Sequence, residues 1–164
     1  MDFTIVDATP VDVPAIAAIL NDAIRNTTAI WHESSRGEAD IAAWLASRQK
    51  DYVVLAARDE SRAIGYASYG PYRPYSGYDL TVEHSVYVRQ DLRGRGIGKA
   101  LLGALIDKAR TQGFHVMVGG IDATNRESIA LHTSFGFVET ARMPEVGRKF
   151  GKWLDLVFMQ KKLS

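Results

Sequence analysis

The sequence has 164 residues, of which 46% are hydrophobic and 24% charged, and its formal net charge is +1. This composition is typical of one globular domain over residues 1–164, and it excludes the basic surface that nucleic-acid binding requires. Cysteine is absent and the four histidines show no metal-ligand spacing, so we expect no disulfide, thiolate or metal chemistry. We find no secretory signal or membrane span in the sequence, and we therefore expect a cytoplasmic protein that binds neither nucleic acid nor membrane.

Hydrophobic periodicity predicts strands and helices along the whole chain. In chain order we predict a strand over 3–6, a helix with Thr9 as N-cap and Pro10 in its first position, a helix over 38–49, strands over 52–58, 64–69 and 80–88, a helix from Ile97 to near Gly113, a strand over 116–121, a helix over 128–135, and strands over 137–141 and 154–160. Hairpin strands come first and strand–helix–strand crossovers second. The order β-α-α-β-β-β-α-β-α-β-β therefore predicts a mixed α/β fold, with a twisted, mostly antiparallel sheet between helices.

A glycine-rich turn over 93–99, Arg-Gly-Arg-Gly-Ile-Gly-Lys, connects a predicted strand to a predicted helix. A helix N-terminus presents free backbone N–H groups and the positive end of the helix dipole, so the turn predicts an anion site, most often for a diphosphate. The spacing fits no dinucleotide fingerprint, because Lys99 stands where the third glycine belongs. It fits no Walker A loop either, because Ala100 follows the Gly-Lys pair. A plain glycine-rich turn is the alternative interpretation.

The pattern Arg93-x-x-Gly96-x-Gly98 resembles the pyrophosphate loop of the Gcn5-related N-acetyltransferases (GNAT), whose fold has the same order of elements. Residues 125–137 resemble a second coenzyme-contacting segment of that family, an Asn-led helix that ends in Gly-Phe. The resemblance implies the GNAT fold and acetyl-CoA as the cosubstrate. The coenzyme contacts that it implies are Val86, Tyr87, Val88, Arg93, Gly94, Arg95, Gly96, Ile97, Gly98, Lys99, Asn125, Ser128 and Ser134.

Three further segments are similar to the phosphinothricin and methionine sulfoximine (methionine sulfone) N-acetyltransferases: 66–78, 78–88, and 144–155, which we predict to be a glycine-rich insertion before the last strand. Members of this group acetylate the α-amino nitrogen of small amino-acid analogues, and the resemblance implies such an acceptor here. It does not rank methionine sulfoximine, methionine sulfone and phosphinothricin. The acceptor-binding residues that it implies are Ile30, Trp31, Arg73, Pro74, Tyr75, Glu83, His84 and Ser85.

The chemistry of amine acetylation agrees with these residues. An amine is mostly ammonium at neutral pH, and a partly desolvated carboxylate such as Glu83 is a suitable general base, directly or through a water. A surface or ion-paired Glu83 is the alternative. Arg73 would bind an acceptor carboxylate bidentately, although a solvated loop arginine fits equally well. His132 stands where many GNAT members carry a tyrosine that protonates the leaving thiolate. The resemblance therefore implies that His132 acts as a general acid. A histidine that only forms local hydrogen bonds is the alternative.

Other functions remain open at this point. A non-catalytic acyl-CoA-binding module would keep the phosphate loop without turnover, but such a protein needs no carboxylate at Glu83. An enzyme of the same family could instead acetylate another small amine or a peptide N-terminus. Because the family often forms homodimers, we also expect a homodimer, with Phe150 and Trp153 as candidate interface residues.

Overall fold

The computed structural model describes residues 2–164. Its strands and helices are β1 (Thr4–Asp7), α1 (Val13–Asn26), α2 (Glu38–Arg48), β2 (Val54–Arg58), β3 (Ala63–Pro71), β4 (Thr81–Val88), α3 (Ile97–Thr111), β5 (Val116–Asp122), α4 (Arg126–Ser134), β6 (Val138–Lys149) and β7 (Lys152–Lys162). Short 3-10 turns cover Pro10–Asp12, Ser76–Tyr78 and Gln90–Leu92. The predicted order of elements and the mixed α/β class are confirmed.

All strands form one seven-stranded sheet in the order β1-β2-β3-β4-β5-β7-β6. Only β4 and β5 run parallel, and their pairing covers just Thr81–Glu83 against Val116–Val118. The remaining neighbours pair antiparallel. Beyond Glu83 the strands β4 and β5 diverge, so the middle of the sheet opens at the carboxyl end of β4.

The sheet separates two hydrophobic cores, which explains why the apolar periodicities of the helices predict their positions. On one face, α3 contributes Leu101, Leu102 and Leu105, which are completely buried. On the other face, the buried side chains of Ile24 from α1 and Ile41 from α2 pack against the sheet. Burying each such aliphatic side chain stabilises the fold by roughly 1.5–3 kcal/mol relative to exposure.

The beginning of the first helix agrees with the prediction in part. Thr9 is the N-cap and Pro10 the first residue of a 3-10 turn over Pro10–Asp12, and α1 itself starts at Val13. The carboxylate of Asp12 accepts hydrogen bonds from the Thr9 backbone N–H, at 2.8 Å, and from the guanidinium of Arg58 on β2. This tie to the sheet sets the start of α1, and local sequence signals do not reveal such a long-range partner.

The predicted insertion over 144–155 is wrong. These residues belong to a long hairpin in which β6 extends to Lys149 and turns at Phe150 and Gly151, both with positive φ (52° and 72°). The pairing register of β6 with β7 shifts between Met143 and Gly147, and this irregularity accommodates the additional β6 residues between these two positions. Because β6 is an exposed edge strand, its residues lack the alternation of apolar and polar side chains that identifies a half-buried strand.

No helix among residues 2–164 combines the length and the apolar character needed to cross a bilayer.

Candidate functional site

The divergence of β4 and β5 opens a cavity of about 800 Å³. It brings together most of the predicted site residues from distant parts of the chain. Those that line it are Ile30, Glu83, His84, Ser85, Val86, Tyr87, Val88, Arg93, Gly94, Ile97, Gly98, Asn125, Ser128 and His132. Those that lie outside its lining are Trp31, Arg73, Pro74, Tyr75, Arg95, Gly96, Lys99 and Ser134.

The open edge of β4 presents backbone groups to this cavity. The N–H of Arg89 donates to Ile64 O and that of Tyr72 donates to Thr81 O, so the odd-numbered residues of β4 bond to β3. Because hydrogen-bonding direction alternates along an antiparallel strand, the backbone groups of Val86 and Val88 face the diverging β5. Their N–H groups can therefore bind a ligand in the cleft.

The glycine turn ends at the N-terminus of α3, as the sequence predicts. Gly94 and Gly96 have φ angles of +77° and +83°, which glycine adopts without strain. A Cβ at either position would meet nothing within 4 Å, so the space beside both glycines is open. The N–H of Ala100 donates to Gly96 O at 3.0 Å, and the three N–H groups before it have no intrahelical acceptor. These groups and the helix dipole favour an anion.

The α4 helix is capped by one of the predicted residues. The Oδ1 atom of Asn125 accepts the Ser128 backbone N–H at 3.1 Å. The Nδ2 group of Asn125 donates no hydrogen bond to any of residues 2–164, so it is available to a ligand in the cavity that both residues line.

Glu83 opens into the cavity on the face of the sheet covered by α1 and α2. A Cβ built on Gly120 would lie 3.5 Å from Glu83 Oε1, so this small residue leaves room beside the carboxylate. The Glu83 side chain is exposed to the open cavity, whose walls nevertheless desolvate the carboxylate and raise its pKa, and the charge of Arg73 offsets part of the rise. No cation among residues 2–164 forms a salt bridge with Glu83. The arrangement suits a general base.

His84 and His132 lie on the opposite face and form a buried pair, with 2.8 Å between their Nε2 atoms. The Nδ1 atom of His84 faces Val118 O at 2.8 Å, and that of His132 faces Ser128 O at 2.6 Å. Burial lowers the pKa of His84 to about 3, an effect that His132 increases, and it lowers the pKa of His132 as well. Both ring nitrogens of His132 are therefore already engaged.

No group of three or more His, Asp or Glu side chains among residues 2–164 is arranged to hold a metal ion.

Comparison with known proteins identifies the family of this chain. The family described as "Acetyltransferase (GNAT) family" matches residues 16–137. The chain belongs to the GNAT family of acetyltransferases.

Individual GNAT proteins resemble the chain over nearly its full length. An L-methionine sulfoximine/L-methionine sulfone acetyltransferase of Pseudomonas aeruginosa is 52% identical over 166 residues, covering 100% of this chain and 96% of that protein. A Salmonella typhimurium acetyltransferase solved with its cofactor acetyl-CoA is 47% identical, with a TM-score of 0.97 and coverage of 100% and 95%. A Sinorhizobium meliloti phosphinothricin acetyltransferase in complex with acetyl-CoA is 36% identical, with a TM-score of 0.96 and coverage of 100% and 90%.

The GNAT cavity has one wall formed by residues 27–32, which the β6–β7 hairpin holds in place. The buried Lys149 Nζ donates to the carbonyls of Ile24, Thr27 and Ile30, at 2.6, 2.6 and 2.5 Å. The indole of Trp31 packs so closely on Gly147 that a Cβ there would come within 2.1 Å of the ring. Trp31 thus supports this wall from behind, and its predicted contact with an acceptor stays a prediction.

The predicted carboxylate-binding residue Arg73 is exposed and lines a separate, smaller groove with Tyr52 and Tyr78. Its guanidinium lies 4.9 Å from the ring centroid of Tyr72. Arg73 affects the pKa of Glu83 only through its charge. The role of Arg73 in acceptor binding also stays a prediction.

Several cavity residues escape detection in the sequence because they come from separate elements and form no local motif. On the Glu83 side of the sheet they are Arg36, Arg48, Tyr66, Ser68 and Asp122. Asp122 is buried, and its Oδ1 atom accepts hydrogen bonds from the backbone N–H and the hydroxyl of Thr124. Burial alone would raise the pKa of Asp122, but hydrogen bonds from Thr28 and Thr124 outweigh it and lower the pKa.

Proposed function

We propose that this protein transfers the acetyl group of acetyl-CoA to the α-amino group of a small amino-acid analogue such as methionine sulfoximine, methionine sulfone or phosphinothricin. One observation carries the proposal: a carboxylate with a raised pKa, Glu83, shares a cavity with a helix N-terminus suited to a diphosphate. The names of the Pseudomonas and Sinorhizobium relatives support this choice of acceptors.

The residues of the glycine turn fit the diphosphate of the coenzyme. Arg93, Gly94, Ile97 and Gly98 line one end of the cavity, where unpaired N–H groups of α3 would bind the phosphate oxygens. The N–H groups of Val86 and Val88 would bind the part of the coenzyme that follows β4, and Asn125 would approach it from α4. Two solved relatives that contain acetyl-CoA support this assignment.

Bound acetyl-CoA supplies the acetyl group as a thioester. Glu83 accepts a proton from the acceptor ammonium, directly or through a water, so that the amine nitrogen can attack the carbonyl carbon. The backbone N–H groups that β4 directs into the cleft stabilise the negative charge that develops on the carbonyl oxygen, which is usually the largest catalytic contribution. When this intermediate collapses, the C–S bond breaks, the nitrogen loses its remaining extra proton, and coenzyme A leaves as a thiolate that takes up a proton.

The predicted general acid role of His132 requires a change in its hydrogen bonds. One ring nitrogen of His132 contacts His84 and the other contacts Ser128. To donate a proton to a thiolate, His132 must therefore break one of these contacts or pass the proton through it. The role of His132 therefore remains part of the proposal, and its effect on the rate should be smaller than that of Glu83.

We also propose that the protein is a cytoplasmic homodimer. The apolar side chains of Val146, Phe150 and Trp153 are exposed on the β6–β7 hairpin, whose outer strand is a sheet edge. Exposed apolar residues on an edge strand favour association. The cytoplasmic location stays a prediction from the sequence.

An acceptor screen tests the function. Thiol release from acetyl-CoA would be measured with methionine sulfoximine, methionine sulfone, phosphinothricin, a simple alkylamine and a short peptide. The proposal requires turnover with at least one of the amino-acid analogues at a higher kcat/KM than with the amine or the peptide. Turnover with the peptide alone would support an N-terminal acetyltransferase instead, and binding of acetyl-CoA without any turnover would support a passive binding module.

A further inference from the structure

We infer that Arg48 forms a carboxylate-binding subsite in the acceptor half of the cavity, so that the enzyme selects free α-amino acids over amines and peptides. This inference rests on the proposed function and specifies its substrate class. It differs from the expectation for Arg73, which lies in another groove.

The Arg48 side chain reaches the sheet from the end of α2 through a gap that a glycine leaves open. A Cβ built on Gly70 of β3 would lie 1.2 Å from Nη1 of Arg48, so any larger residue would occupy the place of the guanidinium. The aromatic rings of Trp44 and Tyr52 flank the guanidinium carbon at 6.0 and 5.8 Å. Glycine at position 70 and these two rings together position the cation.

The guanidinium of Arg48 has no anionic partner. Among residues 2–164 it forms no salt bridge, and no side-chain or backbone oxygen accepts a hydrogen bond from it. Burial lowers the pKa of Arg48, which reflects the cost of desolvating a cation, and Tyr52 opposes this effect only in part. By contrast, the partly buried Arg58 is paired with Asp12 at 2.5 Å. A cation that lines a cavity without a partner is suited to an anionic ligand group.

The sheet register places this cation on the same face of the sheet as the proposed base. Gly70 and Glu83 are directly opposed on β3 and β4. Opposed residues point to the same face of a sheet and have Cα atoms about 4.5–5.5 Å apart. The Arg48 guanidinium over Gly70 and the Glu83 side chain therefore lie on the same face of neighbouring strands, and both line the cavity without forming an ion pair.

A zwitterionic α-amino acid matches this pair of charges. Its ammonium and carboxylate are attached to one carbon, so the ammonium can face Glu83 while the carboxylate faces Arg48. The amine nitrogen then stays at the base that deprotonates it. A simple amine lacks the second contact, and the N-terminal residue of a peptide carries an amide there, so Arg48 would select against both.

The test compares methionine sulfone with its decarboxylated analogue, 3-(methylsulfonyl)propylamine, by steady-state kinetics. For wild type we expect a clear preference for methionine sulfone. Arg48→Gln should raise the KM for methionine sulfone on the order of tenfold to a hundredfold, as loss of a charge-assisted hydrogen bond does. The kinetics with the amine and the KM for acetyl-CoA should change little. The preference for methionine sulfone over the amine should therefore disappear.

A second variant moves the guanidinium without removing it. In Gly70→Ala the new methyl group would displace the flexible end of Arg48, and the KM for methionine sulfone should rise in the same way. Gly77→Ala is the matched control, because a Cβ there meets nothing within 4 Å. Melting temperatures would verify that each variant is folded.

Arg36 and Arg73 provide the competing explanations, since Arg36 lines the same cavity and Arg73 influences Glu83. If Arg36→Gln or Arg73→Gln removes the preference while Arg48→Gln and Gly70→Ala keep it, the inference is wrong and the acceptor function stands. If wild type shows no preference for methionine sulfone over the amine, the inference also fails. Absence of turnover with every amino acid would overturn the proposed function as well.

Discussion

The Nε2 atoms of His84 on β4 and His132 on α4 lie 2.8 Å apart in the buried wall of the cavity. Their Nδ1 atoms face the carbonyl oxygens of Val118 and Ser128, which only accept hydrogen bonds. Each of these three contacts needs one hydrogen atom on a ring nitrogen, so the pair needs three, whereas two neutral imidazoles carry only two. Burial opposes the uptake of a further proton, because a cation is poorly solvated there. The pair links β4, which carries Glu83, to the helix α4, which Asn125 caps.

Acidification should destabilise the protein through this pair. The pKa of His84 is lowered from 6.5 to about 3 and that of His132 is also lowered, so the unfolded chain takes up protons that the folded protein does not. The stabilisation is complete above pH 6.5 and decreases as the pH falls from 6.5 towards 3. Melting temperatures over this range should fall less steeply for the double variant His84→Asn/His132→Asn than for wild type. Parallel curves would contradict the prediction.

Glu83→Gln should separate catalysis from coenzyme binding. The amide keeps the shape of the carboxylate but cannot accept a proton, so kcat should fall by about 10²–10⁴-fold. The shift in melting temperature caused by acetyl-CoA should persist. For wild type, kcat/KM should decrease on the acid side around a pKa above the ordinary value of 4.5, because burial raises the pKa of Glu83. Near-normal turnover by the variant across the pH range would exclude Glu83 as the base.

Gly96→Asp should abolish binding of acetyl-CoA. The new carboxylate would stand at the N-terminus of α3 and repel the diphosphate, so the ligand should no longer raise the melting temperature. Gly113→Asp is a matched control, since Gly113 has a similar φ of +85° and a Cβ there also meets nothing within 4 Å. It lies at the other end of α3 and should retain the ligand-induced shift. A normal shift in Gly96→Asp would remove the basis for the coenzyme assignment.

Lys149→Met should loosen the wall of the acceptor site. The buried carbonyls of Ile24 and Ile30 and the partly buried carbonyl of Thr27 would lose their donor, at about 1–3 kcal/mol of unfolding free energy for each buried group left unpaired. The KM for the acceptor should rise more than the KM for acetyl-CoA, because residues 27–30 lie on the Glu83 side of the cavity. Lys152→Met, at an exposed position of the same hairpin, is the control. Equal stability of the two variants in chemical denaturation would refute the proposed role of Lys149.

Trp153→Asp combined with Phe150→Asp should weaken a homodimer. Both side chains are exposed on the β6–β7 hairpin, and a charge on each would have to be desolvated in an interface. Sedimentation equilibrium should then show a dimer for wild type and a monomer for the variant at micromolar concentration. A monomeric wild type, or a dimer that persists in the variant, would place the interface elsewhere or exclude it.

The sequence alone determines the order of the elements and predicts the candidate anion site before α3. Apolar residues recur with the period of each helix because one side of α1 and α3 is buried, and this pattern is independent of distant partners. The turn before α3 depends on local properties, positive φ at Gly94 and Gly96 and the free N–H groups of a helix N-terminus, so residues adjacent in the chain suffice to predict it. The edge strand β6 has no such buried side, which is why the sequence wrongly predicts an insertion over 144–155 where β6 continues to Lys149.

Only the tertiary structure decides which side chains meet across the acceptor half of the cavity. Arg48 lies over Gly70, which the pairing of β3 with β4 sets opposite Glu83, and Lys149 reaches the carbonyl of Ile30 from 119 residues away. His84 and His132 are 48 residues apart in the chain, and their contact requires β4 and α4 to pack on the same side of the sheet. Such contacts depend on strand register and helix packing, which are global properties of the fold, so no local pattern of residues reveals them.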